Sequence, residues 1–370
     1  MLKIYKNKIP NFNDEKLPFN LKIKFLRCFQ NSNLNIDNVL ILNNKSVLFS
    51  NILNIKLVNG LDYNNLNYLV KFFLKFVKIR VFFFGNWYLN NIPSIEPRDS
   101  FDFKEIDLSI INKCSAKIIP DQLFSKVINC KEDEFIKLRI EDDMVFHVNK
   151  KWKNFDDYLN SLRAKYRKKV HTIYEKSKSL DCKIIKSDYF YEHKKKFQDL
   201  FDQIITNSKF HGPKLNVDVL HQLMKNNILI VYGYFFNDKL LGFNSYIINN
   251  EHLISYFIGY DRIKNKDYSI YPRMLIDKIK FAISLKMKKI IFGRTANEFK
   301  SNFGALPIKS DVFIKFNNTI IHKIFHYLLK NTKIKKWKKR NPFKKEFSLT
   351  ELDEISLNIN KLNKELGKKS

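Results

Sequence analysis

The sequence predicts a mixed α/β (α+β) protein made of two successive units, each a mostly antiparallel sheet flanked by helices. Three observations carry that expectation. Stretches with apolar residues at helical spacing alternate along the chain with short, unbroken apolar runs of strand length. Residues 228–261 hold three such runs, ILIVYGYFF, KLLGFNSYIIN and HLISYFIGYD, separated only by ND and NE turns, which makes a three-strand antiparallel meander. Both halves of the chain also set a hairpin among helices, as two distant copies of one α/β unit would.

In order, NVLILNNKSVLFSN (38–51) reads as a hairpin turning at NNK, and 62–79 as a helix with Leu66, Leu69, Phe72, Phe73 and Phe76 on one face. RVFFFGNWYL (80–89) fits a buried strand ending near Gly85, and 134–149 reads as two strands around an acidic turn. From 152 to 180, Trp152, Phe155, Leu159, Leu162, Tyr166, Val170 and Ile173 form one apolar stripe, which predicts a single long helix with no Gly or Pro to break it. Its other faces carry Arg163, Lys165, Arg167, Lys168 and Lys169, a solvated face or a grip on phosphate. A strand (182–187), a helix (191–208), the loop KFHGPKL and a helix near 216–226 lead into the meander. A helix from Pro272 to about Leu285, the strand KKIIFG, a short helix and the strand DVFIKFN (311–317) follow. The expected units are therefore 1–150, 151–318 and a basic helical tail, 319–370.

The totals narrow the classes. With 370 residues, 45% hydrophobic and 15% aromatic, the chain can bury the cores of two ordinary domains. The longest apolar stretch, 68–84, is interrupted by Lys71, Lys75, Lys78 and Arg80, so no membrane-spanning helix is expected. The first residues lack the pattern of a secretory signal, and four scattered cysteines suit a reducing compartment, so a cytoplasmic location is expected. His322 and His326 stand four apart in an apolar helical run, and two ligands do not close a metal site; no metal is expected. The net charge of +30 points to an anionic partner such as tRNA, a phosphate-bearing cofactor or the inner membrane face. AT-rich coding, which over-uses Lys, Asn, Ile, Phe and Tyr together, accounts for part of it. Charge concentrates at 330–345, where nine Lys or Arg surround Trp337, a segment suited to peripheral contact with an anionic membrane or RNA, or to a solvated helix end.

The stretch IIFGRTANEFKSNFGALP (290–307) carries the densest pattern. Thr295 followed by Glu298 reads as a capping box, which makes Glu298 a cap rather than a general base, and Gly304 suits a left-handed exit. Arg294 and Lys300 have no such structural use. They fall near a strand end and a helix start, where α/β folds place ligands.

With the long basic helix, the meander and GRTANEFKSNFGALP in this order, the chain resembles the GNAT-fold acyltransferases, and within them the Fem-type, peptidoglycan-related branch with two tandem GNAT-like domains. YLNSLRAKYRKKVHTIYEKSKSLDCKI (158–184) and SKFHGPKL (208–215) carry the rest of the resemblance, which covers most of 152–316. It implies transfer of an acyl or aminoacyl group from a thioester or ester donor to an amine, with a cell-wall precursor as a candidate acceptor. The expected enzyme class transfers groups other than aminoacyl groups, with acetyl-CoA or another acyl-CoA as co-substrate. A Fem-like enzyme using aminoacyl-tRNA is one alternative, an acyl carrier protein a further donor, and a non-catalytic basic module binding RNA or membrane another. The resemblance also implies direct attack of the amine on the donor carbonyl, with oxyanion stabilisation by amides of a splayed strand.

One feature departs from the family. GNAT enzymes carry a Gly-rich pyrophosphate loop after the fourth strand, and here that place reads GYDRIKNKDYSIYPR without a second glycine. Arg262, Lys264, Lys266 and Arg273 around a helix start can meet the same requirement, or form a solvated loop. The resemblance places Lys209, His211 and Lys214 at the cleft, with His211 able to take the amine's proton. Alternation along a strand puts Tyr256 and Tyr260 on one face, as proton donors to a leaving thiolate or as core. Asn244, polar inside a strand, is a candidate substrate contact. Asp261 can orient an amine or end its strand.

Overall fold

Strand pairing in the computed structural model defines the architecture. The described residues are 2–30, 36–43, 46–56, 76–96, 111, 113–127, 132–206, 213–330, 334 and 336–347. The helix expected over 62–79 lies almost wholly outside them, as do Lys209, His211 and residues 348–370. Among the described residues thirteen strands join in one sheet.

The first half contributes β1 (Lys3–Lys6), β2 (Ile36–Leu42), β3 (Val47–Lys56) and β4 (Lys78–Phe83), each antiparallel to the next. β5 (Ile95–Glu96) flanks β3, and β6 (Ala116–Pro120) joins β4 in parallel. After β7 (Ile136–His147), the second half repeats the scheme. β8 (Asp181–Ile184), β9 (Leu229–Phe236), β10 (Lys239–Asn249) and β11 (His252–Tyr260) are antiparallel, and β12 (Lys289–Gly293) is parallel to β11. β13 is Leu306–Phe316. The last strand of each half is exchanged: β7 pairs with β12 of the second half, β13 pairs with β6 of the first, and the two pair with each other at the centre. The order β1-β2-β3-β4-β6-β13-β7-β12-β11-β10-β9-β8 is therefore the same read from either end. Two repeated, mostly antiparallel α/β units are present, as the sequence predicted.

Period-two alternation fills both faces. Leu40, Phe49, Leu53, Val81 and Phe83 join one core, while Val39, Ile41, Leu48, Ile52 and Phe82 join the opposite one. The helices are α1 (Ile23–Arg27), α2 (Asp121–Val127), α3 (Phe155–Ser161), α4 (Ala164–Ser177), α5 (Ser187–Glu192), α6 (Lys194–Ile205), α7 (Asp218–Lys225), α8 (Lys264–Tyr268), α9 (Ile270–Ser284), α10 (Asn297–Ser301) and α11 (Thr319–Lys330). On the second half, Phe197, Leu200 and Phe201 of α6 and Leu220 and Leu223 of α7 pack on one face. Leu275, Ile276 and Ile279 of α9 pack on the other, with Val170 and Ile173 of α4. Pro272 is the third residue of α9, still in the first turn, where a missing N–H breaks no helical hydrogen bond.

Three local expectations are corrected. The stretch 134–149 holds one strand, β7, rather than two, because the acidic stretch Glu141–Asp143 is accommodated as a bulge: Ile308 pairs with Asp143 but Ser310 with Ile140. The helix expected over 152–180 is broken into α3 and α4 at Leu162 and Arg163, which are both extended. Leu162 bridges to Phe343, and Arg163 donates to the carbonyls of Asn341 and Phe343, so a distant segment sets the break. The stretch 191–208 likewise divides into α5 and α6 at His193.

Gly259 is where α6 crosses β11. A Cβ there would lie 2.7 Å from the Phe201 amide nitrogen and 2.8 Å from the Leu200 carbonyl carbon, both backbone atoms. Gly259→Ala is expected to lower the unfolding free energy by about 1–3 kcal/mol, read as a reduced urea midpoint with an unchanged m-value. An unchanged midpoint would contradict this packing.

Candidate active site

The parallel pair β11·β12 closes only at its start: His252 pairs with Lys289, Leu253 with Ile290 and Ile254 with Ile291. β11 then runs on from Ser255 to Tyr260 with no strand on that edge among the described residues. Just past the separation β11 carries a bulge, since Asn244 pairs with Ile258 while Tyr246 pairs with Ser255. Ser255, Tyr256, Phe257 and Ile258 are all partly exposed although β11 lies inside the sheet, whereas the three residues before them are buried. Exposure on both faces of an interior strand means that solvent reaches it through the gap. The equivalent pair in the first half stays closed, with Val81 to Phe83 of β4 paired to β6 and the Phe84 amide donating to the Ile118 carbonyl at 3.0 Å.

β12 ends early because the chain turns sharply after it. Gly293, Thr295 and Ala296 have φ of 71°, 67° and 52°, left-handed values that a β-branched threonine rarely adopts. Such strain accumulates where a fold holds a functional corner. Lys300, 4% exposed, holds the turn from inside: its ammonium donates to the carbonyls of Phe292 (3.1 Å), Gly293 (2.9 Å) and Arg294 (2.7 Å). The expected capping box is absent. Ala296 occupies the N-cap position of α10 without a side-chain hydrogen bond. Glu298 instead accepts from the Arg340 guanidinium, and that hydrogen bond holds its carboxyl below the usual range. Gly304 does take the left-handed exit, at φ 101°, with Phe343 of the C-terminal segment against it. Arg294 turns to the protein, donating to Asn90 and pairing with Asp143 at 3.1 Å. Both cations expected to meet a ligand thus have protein partners, and Arg294 ties the corner to the first half.

A residue that sequence reasoning missed lies directly at the gap. Lys278 of α9 is 1% exposed, and its Nζ sits 2.6 Å from Ser255 Oγ, the first residue of β11 past the separation. Burial, reinforced by the Lys300 ammonium, pushes Lys278 down to about 7. Burial lowers Lys300 to about 7 as well, against the pull of Asp143 and Glu141. The signal was present in the sequence. Lys278 falls among Leu275, Ile279 and Ala282 on the apolar stripe of α9, where a charge is out of pattern.

The other predicted residues are dispersed. Tyr256 and Tyr260 face opposite sides of the sheet, because the bulge inserts one residue between them: Tyr256 joins the core under α6, while Tyr260 stacks on Tyr271 of α9. The Tyr256 hydroxyl is buried without a hydrogen-bond partner among the described residues, and burial raises its phenol well above the ordinary range. Asn244 donates to the Tyr234 hydroxyl (2.8 Å), which donates to Asp277 (3.1 Å), and Asp277 accepts twice from Arg273. Arg273 is thus committed to a buried pair rather than to the loop, where Arg262, Lys264 and Lys266 are exposed. Asp261 accepts from the amides of Ile263 and Lys264, both at 3.0 Å, and ends its strand. Lys214 pairs with Asp202 at 3.7 Å, and its carbonyl accepts from the Tyr88 hydroxyl at 3.0 Å. The described residues hold no group of three or more potential metal-ligating side chains and no helix long and apolar enough to cross a membrane.

Against known proteins, no family model and no curated protein matches the chain. Among solved structures it is similar to FemX, at 10% identity over 83% of this chain and 94% of that one, with a TM-score of 0.48. It is similar to the C-terminal domain (DUF2156) of a putative lysylphosphatidylglycerol synthetase from Agrobacterium fabrum (7% identity, 83% and 90% covered, TM-score 0.45). A tandem GNAT protein from the clavulanic acid biosynthesis pathway is also similar (6%, 82% and 91%, 0.43).

The two buried lysines set a pH dependence. Their folded values, about 7, lie below the ordinary 10.5, so between these limits the unfolded chain binds more protons and stability rises with pH. The penalty is full below about pH 7 and relieved as pH approaches 10. Urea midpoints measured from pH 7 to 10 are expected to climb, and Lys278→Met to flatten the climb; an identical slope in the variant would refute the assignment.

Proposed function

We propose that the chain is an N-acyltransferase that works at the gap between β11 and β12, transferring an acyl group from a thioester or ester donor to an amine. The observation that carries this reading is the open, bulged edge of β11 in the interior of the sheet. Backbone amides on such an edge have no strand to pair with, and they can hold a donor in extended form and receive the negative charge that develops on its carbonyl oxygen. The closed counterpart in the first half supports placing the chemistry in the second.

The donor's carrier is read from charge. Arg262, Lys264 and Lys266 are exposed just past the end of β11, placed for the phosphates of coenzyme A, of a carrier-protein prosthetic arm or of a tRNA end. Tyr256, with its unmatched hydroxyl, is a hydrogen-bond donor available to the acyl chain or the leaving group. The acceptor is an amine, for which a cell-envelope precursor fits the sequence resemblance.

The test pairs binding with turnover. Acetyl-CoA, longer acyl-CoAs and aminoacyl-tRNA are each offered with a panel of primary amines, and amide products are sought by mass spectrometry. Hydrogen exchange at Ser255–Tyr260 is followed in parallel. A working donor is expected to slow exchange along that edge and to yield an amide. Protection without product would support a binding module, and neither effect with any donor would overturn the assignment.

Contact with an anionic membrane is better placed on α11 than on 330–345. Ile320, Ile321, Ile324 and Tyr327 are 70%, 41%, 52% and 73% exposed, one outward apolar row, while Phe325 and Leu329 hold the inner side. In the basic segment, by contrast, Trp337 and Phe343 pack on the second half and Arg340 binds Glu298. Phosphatidylglycerol vesicles are expected to sediment the protein, and Ile320→Ser with Ile324→Ser to weaken this at least about tenfold. Equal sedimentation with neutral vesicles would argue against charge-assisted docking.

A further inference from the structure

We propose that Ser255 and Lys278 form a nucleophile–base pair, so that the acyl group passes through an ester on Ser255 Oγ before it reaches the amine. The inference rests on the transferase reading and goes beyond it, since the resemblance implies direct attack by the amine.

Four observations converge on this pair. Ser255 is the first residue of β11 past the point where β12 leaves, so its side chain stands at the mouth of the gap. It is partly exposed, while the amine that contacts it, Lys278 Nζ at 2.6 Å, is fully enclosed by the core of α9. No carboxylate pairs with Lys278 among the described residues, and Ser255 Oγ is its hydrogen-bond acceptor. A buried ammonium with one neutral partner is costly, which makes the neutral amine accessible near neutral pH; in that form the contact reverses and the hydroxyl donates to nitrogen. Burial and the nearby Lys300 ammonium both act in that direction. Finally, the unpaired edge begins at Ser255 and the bulge follows directly, so amide donors for an oxyanion adjoin the nucleophile.

The steps balance. Ser255 Oγ attacks the donor carbonyl carbon as its proton passes to the neutral Lys278 amine. The tetrahedral oxyanion collapses, the bond to the carrier oxygen or sulfur breaks, and Lys278 returns that proton to the departing alkoxide or thiolate. The acceptor amine then attacks the Ser255 ester and loses a proton to Lys278. The carbon–Oγ bond breaks, and Lys278 restores the proton to Ser255. The net change is acyl exchange from carrier to amine, with no oxidant or reductant.

The experiment uses the full chain and p-nitrophenyl acetate, an activated ester that needs no knowledge of the natural donor. Peptide mapping is expected to find an acetyl on Ser255 that alkaline hydroxylamine removes, as it does an oxygen ester but not a lysine amide. Lys278→Met is expected to slow that labelling about 100-fold. Ser255→Ala is expected to abolish it and Ser255→Cys to retain it, with circular dichroism and thermal melts reporting whether each variant folds. If Lys278→Met does not fold, the two Ser255 variants still decide the matter. Absence of a hydroxylamine-sensitive label on Ser255 would overturn the proposal. So would amide formation by Ser255→Ala at the wild-type rate, which leaves the transferase reading intact. Labelling of Ser255 without any acceptor turnover would uphold the pair and count against that reading.

Discussion

Three carbonyl oxygens at the end of β12 share one ammonium, and the candidate site depends on that arrangement. Lys300 draws Phe292, Gly293 and Arg294 around itself, the chain turns through left-handed conformations, and β12 stops short of its neighbour. An ordinary strand would have continued the ladder and sealed β11. Here the acceptors that would extend the sheet are used on a side chain, and the adjoining strand keeps an open edge. The ion pair of Arg294 with Asp143 fixes the same corner from outside. Burying a lysine without a carboxylate is unfavourable in itself. Its compensation is structural: three aligned dipoles and a defined turn.

Around the gap, buried hydrogen bonds tie the neighbouring strands and helices together. Arg273, Asp277, Tyr234 and Asn244 form a connected chain of hydrogen bonds under β9 and β10, and Arg273 also stacks over Tyr174. That network braces the sheet from behind the open edge. It explains why a polar residue sits inside β10 without facing a ligand. Breaking such a buried pair at one end strands the other charge, which is strongly destabilising. On the other face Gly259 lets α6 lie directly on β11, so the bulged strand is clamped between helices while its edge stays free.

Much of the fold was legible from local pattern. The meander, the hairpin at 38–51, the crossover helix after β11 and the final strand all follow from apolar spacing and turn residues. What failed was set by distant contacts. Leu162 and Arg163 leave helical geometry because residues 341–343 pair with them, and no periodicity in 152–180 records a partner so far along the chain. The Thr295–Glu298 spacing was sound as a local signal, but Arg340 claimed the carboxylate and the turn took another route. Alternation predicted one face for Tyr256 and Tyr260 until a single inserted residue reversed it. At the candidate site, Arg294 and Lys300 read from the sequence as ligand-facing, and both have partners within the protein. Lys278 escaped because an isolated lysine on a helix attracts little notice, although its apolar neighbours marked it.

The crossing of β7 and β13 at the centre of the sheet bears on how such a chain could have arisen. Each half lends its last strand to the other, so a half made alone would lack one lane of its own sheet and expose two unsatisfied edges. Two identical halves, however, would satisfy each other by the same exchange. An intertwined pair of such halves would reproduce this strand order without any covalent link between them.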